Sequence, residues 1–252
     1  MESERFGIRK EIEEERKLAV KYSKMEQGQS YPGLVGWAVY DSPVTFFDNA
    51  LALPEGYNKI SEYIDGEYKE GVGNLIGIEL GGPGSKLFRD LNSDKRRFAK
   101  SVGVTLVDLR RDFLKLADKE NSHEILEANV FSSSFVDDDG VERPGFKKIQ
   151  DWVDRNGRAD FVFELMHKPI HDLKKSSKLF LNLVLRWYRL LNEEGTLLVQ
   201  GPEFSKEFLE QIKTKLSELN IRPYYKIGFD GLCYFTLKRL HGSPDDLNKW
   251  LR

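Results

Sequence analysis

The chain of 252 residues is long enough for one large domain, and its 40% hydrophobic residues can form a sizeable core. Its net charge of −2 excludes the strong overall basicity of most nucleic-acid-binding proteins, although a local basic patch stays open. No run approaches the roughly 18 apolar residues of a membrane helix, and the charged start MESERFGIRK predicts no secretory signal. The single cysteine, Cys233, excludes an internal disulfide framework and multi-cysteine metal sites, so we expect a cytoplasmic protein.

The first 72 residues differ in composition from the rest of the chain. Residues 2–27 are rich in Glu, Lys and Arg with apolar positions at near-helical spacing, and residues 57–70 also have a helical pattern. We therefore predict that residues 1–72 form a helical cap. Its large aromatic groups could line a binding pocket or simply pack the cap on the core; they are Tyr31, Trp37, Tyr40, Phe46, Phe47 and Tyr57.

From Asn74 onward, short apolar runs alternate with helical stretches. This alternation predicts parallel strands with helices on both faces, that is, a doubly wound α/β sheet. We place strands at residues 75–79, 104–108, 124–129, 160–166 and 196–200. Helices are predicted at 85–100, 109–120, 146–156 and 204–219, with a long helix ending near Gly195 and a polar loop at 132–145.

Two β-prone runs end this region, at residues 222–228 and 232–238. Between them lies Phe229-Asp230-Gly231, whose Asp-Gly pair is favoured in tight hairpins. No helix fits in that gap, so the last two strands must be antiparallel. A doubly wound sheet finished by an antiparallel hairpin departs from the strand order of the dinucleotide-binding Rossmann fold. Residues 241–252 follow it as a tail.

A glycine-rich turn, Glu79-Leu-Gly-Gly-Pro-Gly84, follows the first predicted strand. With this turn, the acid at Asp108, the histidines after the fourth strand and the final hairpin, residues 73–240 resemble the class I S-adenosylmethionine-dependent methyltransferases, a Rossmann-like superfamily. The resemblance implies a seven-stranded, mostly parallel sheet, S-adenosylmethionine as cofactor and methyl transfer as the reaction. The turn departs from the family pattern acid-x-Gly-x-Gly-x-Gly because it is one residue shorter.

The glycine-rich turn is the first cofactor site that the resemblance implies. Glycine lets the backbone turn sharply and approach a ligand closely, so Gly81, Gly82 and Gly84 would cradle the methionine end of the cofactor. The following helix offers free N–H groups to its carboxylate. Glu79 would help to hold its amino group. A tight turn that packs a helix on the sheet, without a ligand, is the alternative.

Two further strand ends complete the implied cofactor site. Asp108 would accept hydrogen bonds from both ribose hydroxyls, which suits a carboxylate with two acceptor oxygens. Asn129 and Val130 would face the adenine, with an amide where the family often has a carboxylate. Asp108 could instead cap the next helix, and Asn129 could be an ordinary turn residue.

The fourth predicted strand leads into Glu164, His167 and His171. Its carboxyl end should face the ligand cleft, because open α/β sheets bind ligands there. Small-molecule members of the family often carry histidines in this stretch, so the resemblance implies that one of these three groups is the general base. A structural histidine at 167 and a helix-capping one at 171 are the alternative. The four histidines of the chain are too scattered to predict a metal site.

The sequence names neither the methyl acceptor nor the oligomeric state. We expect a small-molecule acceptor, because the aromatic cap suits an apolar pocket and neither part of the chain has the basic excess of a nucleic-acid binder. An RNA or protein methyltransferase, and a non-catalytic binding or scaffold protein of the same fold, are the alternatives. A nicotinamide oxidoreductase is disfavoured because the third glycine of Gly-x-Gly-x-x-Gly is missing.

Overall fold

Five helices and nine strands make up the described part of the chain in a computed structural model. It describes Val44, Asp48 and residues 53–69, 71–82, 85–105, 123–128, 130, 134–136, 142–164, 177–201, 203–227 and 233–245. The elements are α1 (Ile60–Glu67), β1 (Leu75–Leu80), α2 (Ser85–Leu91), β2 (Phe98–Thr105), β3 (His123–Glu127), β4 (Ser134–Val136), β5 (Glu142–Pro144), α3 (Phe146–Asn156), β6 (Ala159–Glu164), α4 (Ser177–Tyr188), β7 (Leu191–Gly201), α5 (Lys206–Glu218), β8 (Ile221–Ile227) and β9 (Cys233–Arg239). None of the described helices is long and apolar enough to cross a membrane.

Seven of these strands form one sheet in the order β3-β2-β1-β6-β7-β9-β8. Strands β3, β2, β1, β6 and β7 pair in parallel, whereas β9 is antiparallel to both of its neighbours, β7 and β8. The predicted doubly wound sheet with a C-terminal antiparallel hairpin is therefore confirmed. Its last strand in the chain is inserted between β7 and β8, which leaves β8 at the edge.

The predicted second strand and the helix before it were wrong in their boundaries. Helix α2 ends at Leu91 rather than near Lys100, and β2 runs from Phe98 to Thr105 rather than from 104 to 108. The side chain of Asn92 explains this difference. Its Oδ1 accepts the backbone N–H groups of Arg97 and Phe98, both at 2.9 Å, and turns the chain back into the sheet.

Two other boundaries also differ from the prediction. The polar loop predicted at 132–145 contains β4 and β5, which pair with each other as a small antiparallel sheet. Strand β7 begins at Leu191, so the helix before it ends sooner than Gly195. Gly195 lies inside the strand, where a Cβ atom would come within 2.9 Å of the carbonyl oxygen of Ala159. The close approach of the two backbones explains why glycine occupies this position, which the sequence pattern predicted to be the end of a helix.

An aromatic cluster covers one face of the sheet beneath α1 and α2. The rings of Phe161 and Phe163 stack with centroids 5.7 Å apart, and the Phe88 ring meets Phe98 at 5.1 Å. Burial of side chains of this size contributes roughly 1.5–3 kcal/mol each. The buried members of the cluster are Ile60, Tyr63, Ile64, Leu75, Leu87, Phe88, Leu91, Phe98, Phe161, Phe163 and Leu198.

The opposite face is covered by α3, α4 and α5. Trp152 of α3, Trp187 of α4 and Leu209 of α5 are all almost fully buried on this face. They pack against strand residues such as Val162, whose side chain points away from the phenylalanine cluster. Parallel strands need this cover on both faces, because neither face can be left to solvent. The central strands accordingly show buried residues at nearly every position.

Helix α1 is fixed to the sheet by polar contacts as well as by apolar packing. Arg97, only 2% exposed, forms a two-pronged ion pair with Asp65 of α1, with N–O distances of 3.0 and 2.9 Å. The Arg97 guanidinium also holds the pKa of Asp94 down to about 2. At the same C-terminal end of α1, the Tyr68 hydroxyl bonds the Thr196 hydroxyl at 2.8 Å. Residues 60–68 thus pack on the sheet, while the division of the chain at residue 72 stays a prediction.

A buried cation lies under the end of α1. The Lys238 ammonium lies 3.7 Å from the centroid of the Tyr68 ring and 3.9 Å from the nearest carboxylate oxygen of Glu67. Lys238 is 5% exposed, and this burial lowers its pKa from 10.5 to about 8 despite the nearby Glu67. The folded state therefore favours the neutral amine, so the buried ammonium reduces stability at neutral pH.

We expect Lys238 to make the protein more stable as pH rises from 8 to about 10. In this window the unfolded chain binds the proton that the folded chain has lost, and the gain amounts to at most about 3 kcal/mol. Chemical unfolding of the wild type and of Lys238→Met at several pH values in this range measures the gain. The difference between their free energies of unfolding cancels the contributions of the other titrating groups. A difference that stays flat, like that of the exposed control Lys148→Met, would contradict the assignment.

Gly77 of β1 lies directly beneath two aromatic rings. A Cβ atom there would come within 2.7 Å of the Phe88 ring and 2.9 Å of the Phe98 ring. We expect Gly77→Ala to reduce the free energy of unfolding by roughly 1–3 kcal/mol through overpacking. Urea unfolding measures the change, with Gly71→Ala as control, because a Cβ atom at Gly71 meets its nearest neighbour at an ordinary 3.4 Å. Equal effects of the two substitutions would refute the proposed close packing.

Candidate functional site

The carboxyl ends of the five parallel strands lie at one edge of the sheet. Leu80, at the end of β1, pairs with Val104 of β2 on one side and with Glu164 of β6 on the other. The chain continues from β1 to β2 and β3 in one direction and then crosses to β6 and β7 in the other. Strands β1 and β6 therefore flank the point where the winding direction reverses. Open α/β sheets bind ligands in the crevice at such a point.

The turn after β1 requires glycine for two separate reasons. Gly81 has φ +92°, a conformation that other residues rarely adopt, and its N–H donates to the carbonyl of Val104 at 2.8 Å. At Gly82, a Cβ atom would come within 2.7 Å of Oε1 of Glu79. Glu79 as a residue is only 7% exposed, and its carboxyl group lies folded closely over the turn. This arrangement fits a ligand whose amino end is held by Glu79 and whose chain approaches bare backbone.

The two candidate carboxyl groups lie on opposite faces of the sheet. Residues paired across parallel strands point to the same face, so Glu79 shares the α2 face with Phe163, and Glu164 shares the other face with Leu80. Glu164 is fully buried. The structure therefore brings Glu79 and Glu164 to the same edge without bringing their side chains together, and it shields the Glu164 carboxyl group from solvent.

Val130 lies just beyond β3 and is also fully buried. Its carbonyl oxygen accepts a hydrogen bond from the indole N–H of Trp187 at 3.2 Å. This contact ties the end of β3 to α4 and fixes the backbone at Val130. The remaining candidate residues lie outside the part of the chain that the structure describes, and their roles stay predictions: Gly84, Asp108, Asn129, His167 and His171.

One buried polar pair at this edge was not predicted from the sequence. Gln200, near the end of β7, donates from Nε2 to the hydroxyl of Tyr234 on β9 at 3.3 Å, and the two residues are 6% and 5% exposed. Gln200 directly follows Val199, the residue of β7 that pairs with Glu164 of β6. The sequence signals Gln200 only as a polar residue near the end of an apolar strand. Its partner could not be predicted, because the pairing with Tyr234 depends on the register of β9. No group of three or more metal-ligating side chains occurs among the described residues.

Comparisons with known proteins give only distant likenesses. No protein-family model matches the chain, and no curated protein matches it. An O-methyltransferase family protein from Burkholderia thailandensis superposes with a TM-score of 0.45 and 11% identity over 73% of this chain, and the match spans only 56% of that protein. A putative ribosomal RNA methyltransferase from Plasmodium falciparum gives 0.44 and 12% identity over 73% of this chain and 98% of that one.

A third solved structure holds a ligand. A putative methyltransferase from Streptococcus mutans, in complex with SAH, gives a TM-score of 0.41 and 12% identity over 72% of this chain and 97% of that one. Likenesses this distant establish no function. The fold assignment therefore rests on the strand order of the chain itself, in which an antiparallel β9 is inserted between β7 and β8. The seven-stranded, mostly parallel sheet with a C-terminal antiparallel hairpin that the sequence resemblance implied is therefore present.

Proposed function

We propose that the chain is an S-adenosylmethionine-dependent methyltransferase. The observation that carries this proposal is the glycine turn at Gly81 and Gly82, which ends a central strand at the point where the winding reverses. In a sheet with an antiparallel seventh strand, this position suits the methionine end of the cofactor. The close fit between Gly82 and Glu79 supports the same assignment.

The described residues would divide the work of binding as follows. Gly81 and Gly82 let the backbone approach the cofactor without a side chain between them. Glu79 accepts hydrogen bonds from its amino group, and the bond from Trp187 keeps Val130 in place beyond β3. We extend the site to Gly84, and to Asp108 and Asn129 for the ribose and the adenine. When bound, the cofactor supplies a sulfonium methyl group that is open to in-line displacement.

The acceptor is proposed to be a small molecule held under the cap of residues 1–72. The protein must align its nucleophile, exclude water and, for a protonated nucleophile, remove a proton. His167 and His171 are the proposed bases, because Glu164 is fully shielded from solvent on the far face from Glu79. We also propose a cytoplasmic location.

Binding of S-adenosylhomocysteine, measured by calorimetry, tests the cofactor site directly. We expect micromolar binding by the wild type and a loss of roughly tenfold in Gly82→Ala, because the added Cβ atom displaces the Glu79 carboxyl group. That group is the flexible end of a side chain, so the substitution should leave thermal stability nearly unchanged. Gly71→Ala is the matched control and should bind like the wild type, whereas Asp108→Ala should bind weakly.

The outcomes separate the proposed enzyme from its alternatives. Failure of a folded wild-type protein to bind either S-adenosylmethionine or S-adenosylhomocysteine would reject the methyltransferase and leave a binding or scaffold protein. Binding that is equally tight in Gly82→Ala would move the cofactor away from the glycine turn. Binding with the expected pattern would justify a screen of small-molecule, RNA and protein acceptors.

A further inference from the structure

Gln200 lies at the carboxyl end of β7, level with the glycine turn of β1. Leu80, Glu164 and Val199 form one row across β1, β6 and β7. The next row of the sheet therefore contains Gly81 of the turn and Gln200. The Gly81 N–H still donates to the neighbouring strand at 2.8 Å, so this row belongs to the sheet. Two strand spacings, roughly 10 Å, separate the backbones at Gly81 and Gln200.

The Gln200 side chain is on the same face of the sheet as Glu79. Glu79 pairs with Phe163, which pairs with Leu198, so these three side chains point to the face that α1 and α2 cover. Gln200 follows Leu198 by two residues on the same strand and therefore points the same way. The fully buried Glu164 lies on the opposite face. Gln200 is thus the polar group of β7 that shares a face with the proposed holder of the cofactor amino group.

The proposed cofactor leaves the carboxyl ends of β6 and β7 for the acceptor. Its methionine end would lie at β1, and its ribose and adenine would lie at the ends of β2 and β3. An acceptor that approaches the sulfonium methyl group has to use the remaining part of this edge, which β6 and β7 form. The Gln200 amide is therefore on the acceptor side of the site, an inference that rests on the proposed function.

The Gln200 amide is buried without being fully paired. Gln200 is 6% exposed, and its Nε2 donates to the Tyr234 hydroxyl at 3.3 Å, longer than the about 2.7–3.2 Å typical of such bonds. Within the described part of the chain, no hydrogen bond engages the Oε1 of Gln200. An amide oxygen removed from water without a donor costs free energy, and a leucine of similar size would pack here without that cost. A ligand that donates a hydrogen bond to Oε1 would remove the cost.

Tyr234 determines which way the amide of Gln200 faces. It is the β9 residue that pairs with Gln200, and it is itself only 5% exposed. Because the amide nitrogen points to Tyr234 on β9, the oxygen on the other arm of the same planar group is turned away from β9. Strand β6 is the other neighbour of β7, and the proposed cofactor lies beyond it in that direction. The pair therefore holds an acceptor oxygen toward the region of methyl transfer.

We propose that Gln200, held by Tyr234, is a positioning residue that orients a neutral, hydroxylated small molecule by accepting a hydrogen bond from one of its O–H groups. A charged group would lose its hydration at this position with only a neutral amide in exchange, which favours an uncharged acceptor. Gln200 takes up no proton. The nucleophile bonds to the methyl carbon, the carbon–sulfur bond breaks with its electron pair left on sulfur, and a proton of the nucleophile passes to the proposed base.

Phenol and fluorobenzene test this proposal, because they are close in size and only phenol has an O–H group. Ligand-detected NMR titration of the full chain with S-adenosylhomocysteine bound gives a Kd for each probe. We expect the wild type to bind phenol roughly fivefold more tightly than fluorobenzene, the effect of one hydrogen bond. In Gln200→Leu the two Kd values should become equal, and Tyr234→Phe should narrow the difference. A merely structural role would change both Kd values together.

Gln211→Leu is the matched control, because it removes an exposed amide from α5. It should keep the preference for phenol, and circular dichroism should show all variants folded. A wild type that binds S-adenosylhomocysteine but binds phenol no more tightly than fluorobenzene would overturn the proposal and leave the cofactor site standing. So would a preference for phenol that survives in Gln200→Leu. Calorimetry that shows no binding of S-adenosylhomocysteine would instead reject the proposed function, and this inference with it.

Discussion

Burial of the central parallel strands on both faces is the constraint on which the rest of the structure depends. Strands β1 and β6 have hardly an exposed side chain, so helices must cover each face. Helices α3, α4 and α5 cover one face, whereas α1 and α2 cover the other over a cluster of phenylalanines. Helix α1 comes before the first strand in the chain, yet its residues Ile60 and Ile64 are as deeply buried as those of the sheet. The cover of the sheet therefore includes a helix that precedes β1 in the chain.

This two-sided cover also determines the shape of the glycine turn. The Phe88 ring of α2 lies against the bare backbone of Gly77, so α2 packs unusually close to β1. Strand β1 ends at Leu80 and α2 begins at Ser85, which leaves few residues to reverse the chain. A left-handed Gly81 and a Gly82 without a side chain meet that demand. The same close packing of α2 on β1 therefore excludes a side chain at Gly77, and the folded Glu79 side chain excludes one at Gly82.

The sequence was sufficient for features that depend on local patterns and insufficient for those that depend on distant partners. The apolar run of β1 and the Asp-Gly hairpin were predictable, because strand alternation and turn chemistry are local. The start of β2 was not, because the side chain of Asn92 ends α2 by bonding backbone groups that a helical pattern also allowed. Arg97 stands in a run of charged residues typical of a solvated surface. It is buried because Asp65, 32 residues earlier, pairs with it.

The candidate site shows the same division. Glu79 and its glycine turn could be predicted, since both lie within one local motif. That Glu164 lies on the other face of the sheet could not, because the face depends on the register between β1 and β6. The pair of Gln200 and Tyr234 likewise depends on the register of β9.

The unfavourable burial of Lys238 is best explained together with the edge of the sheet. Burial of an ammonium group costs stability, and the nearby Arg222 adds to that cost rather than offsetting it. An apolar side chain at position 238 would pack on Tyr68 without either penalty. The Tyr68 ring and the Glu67 carboxylate offset part of this cost, so the burial of Lys238 depends on the end of α1 being held against β9.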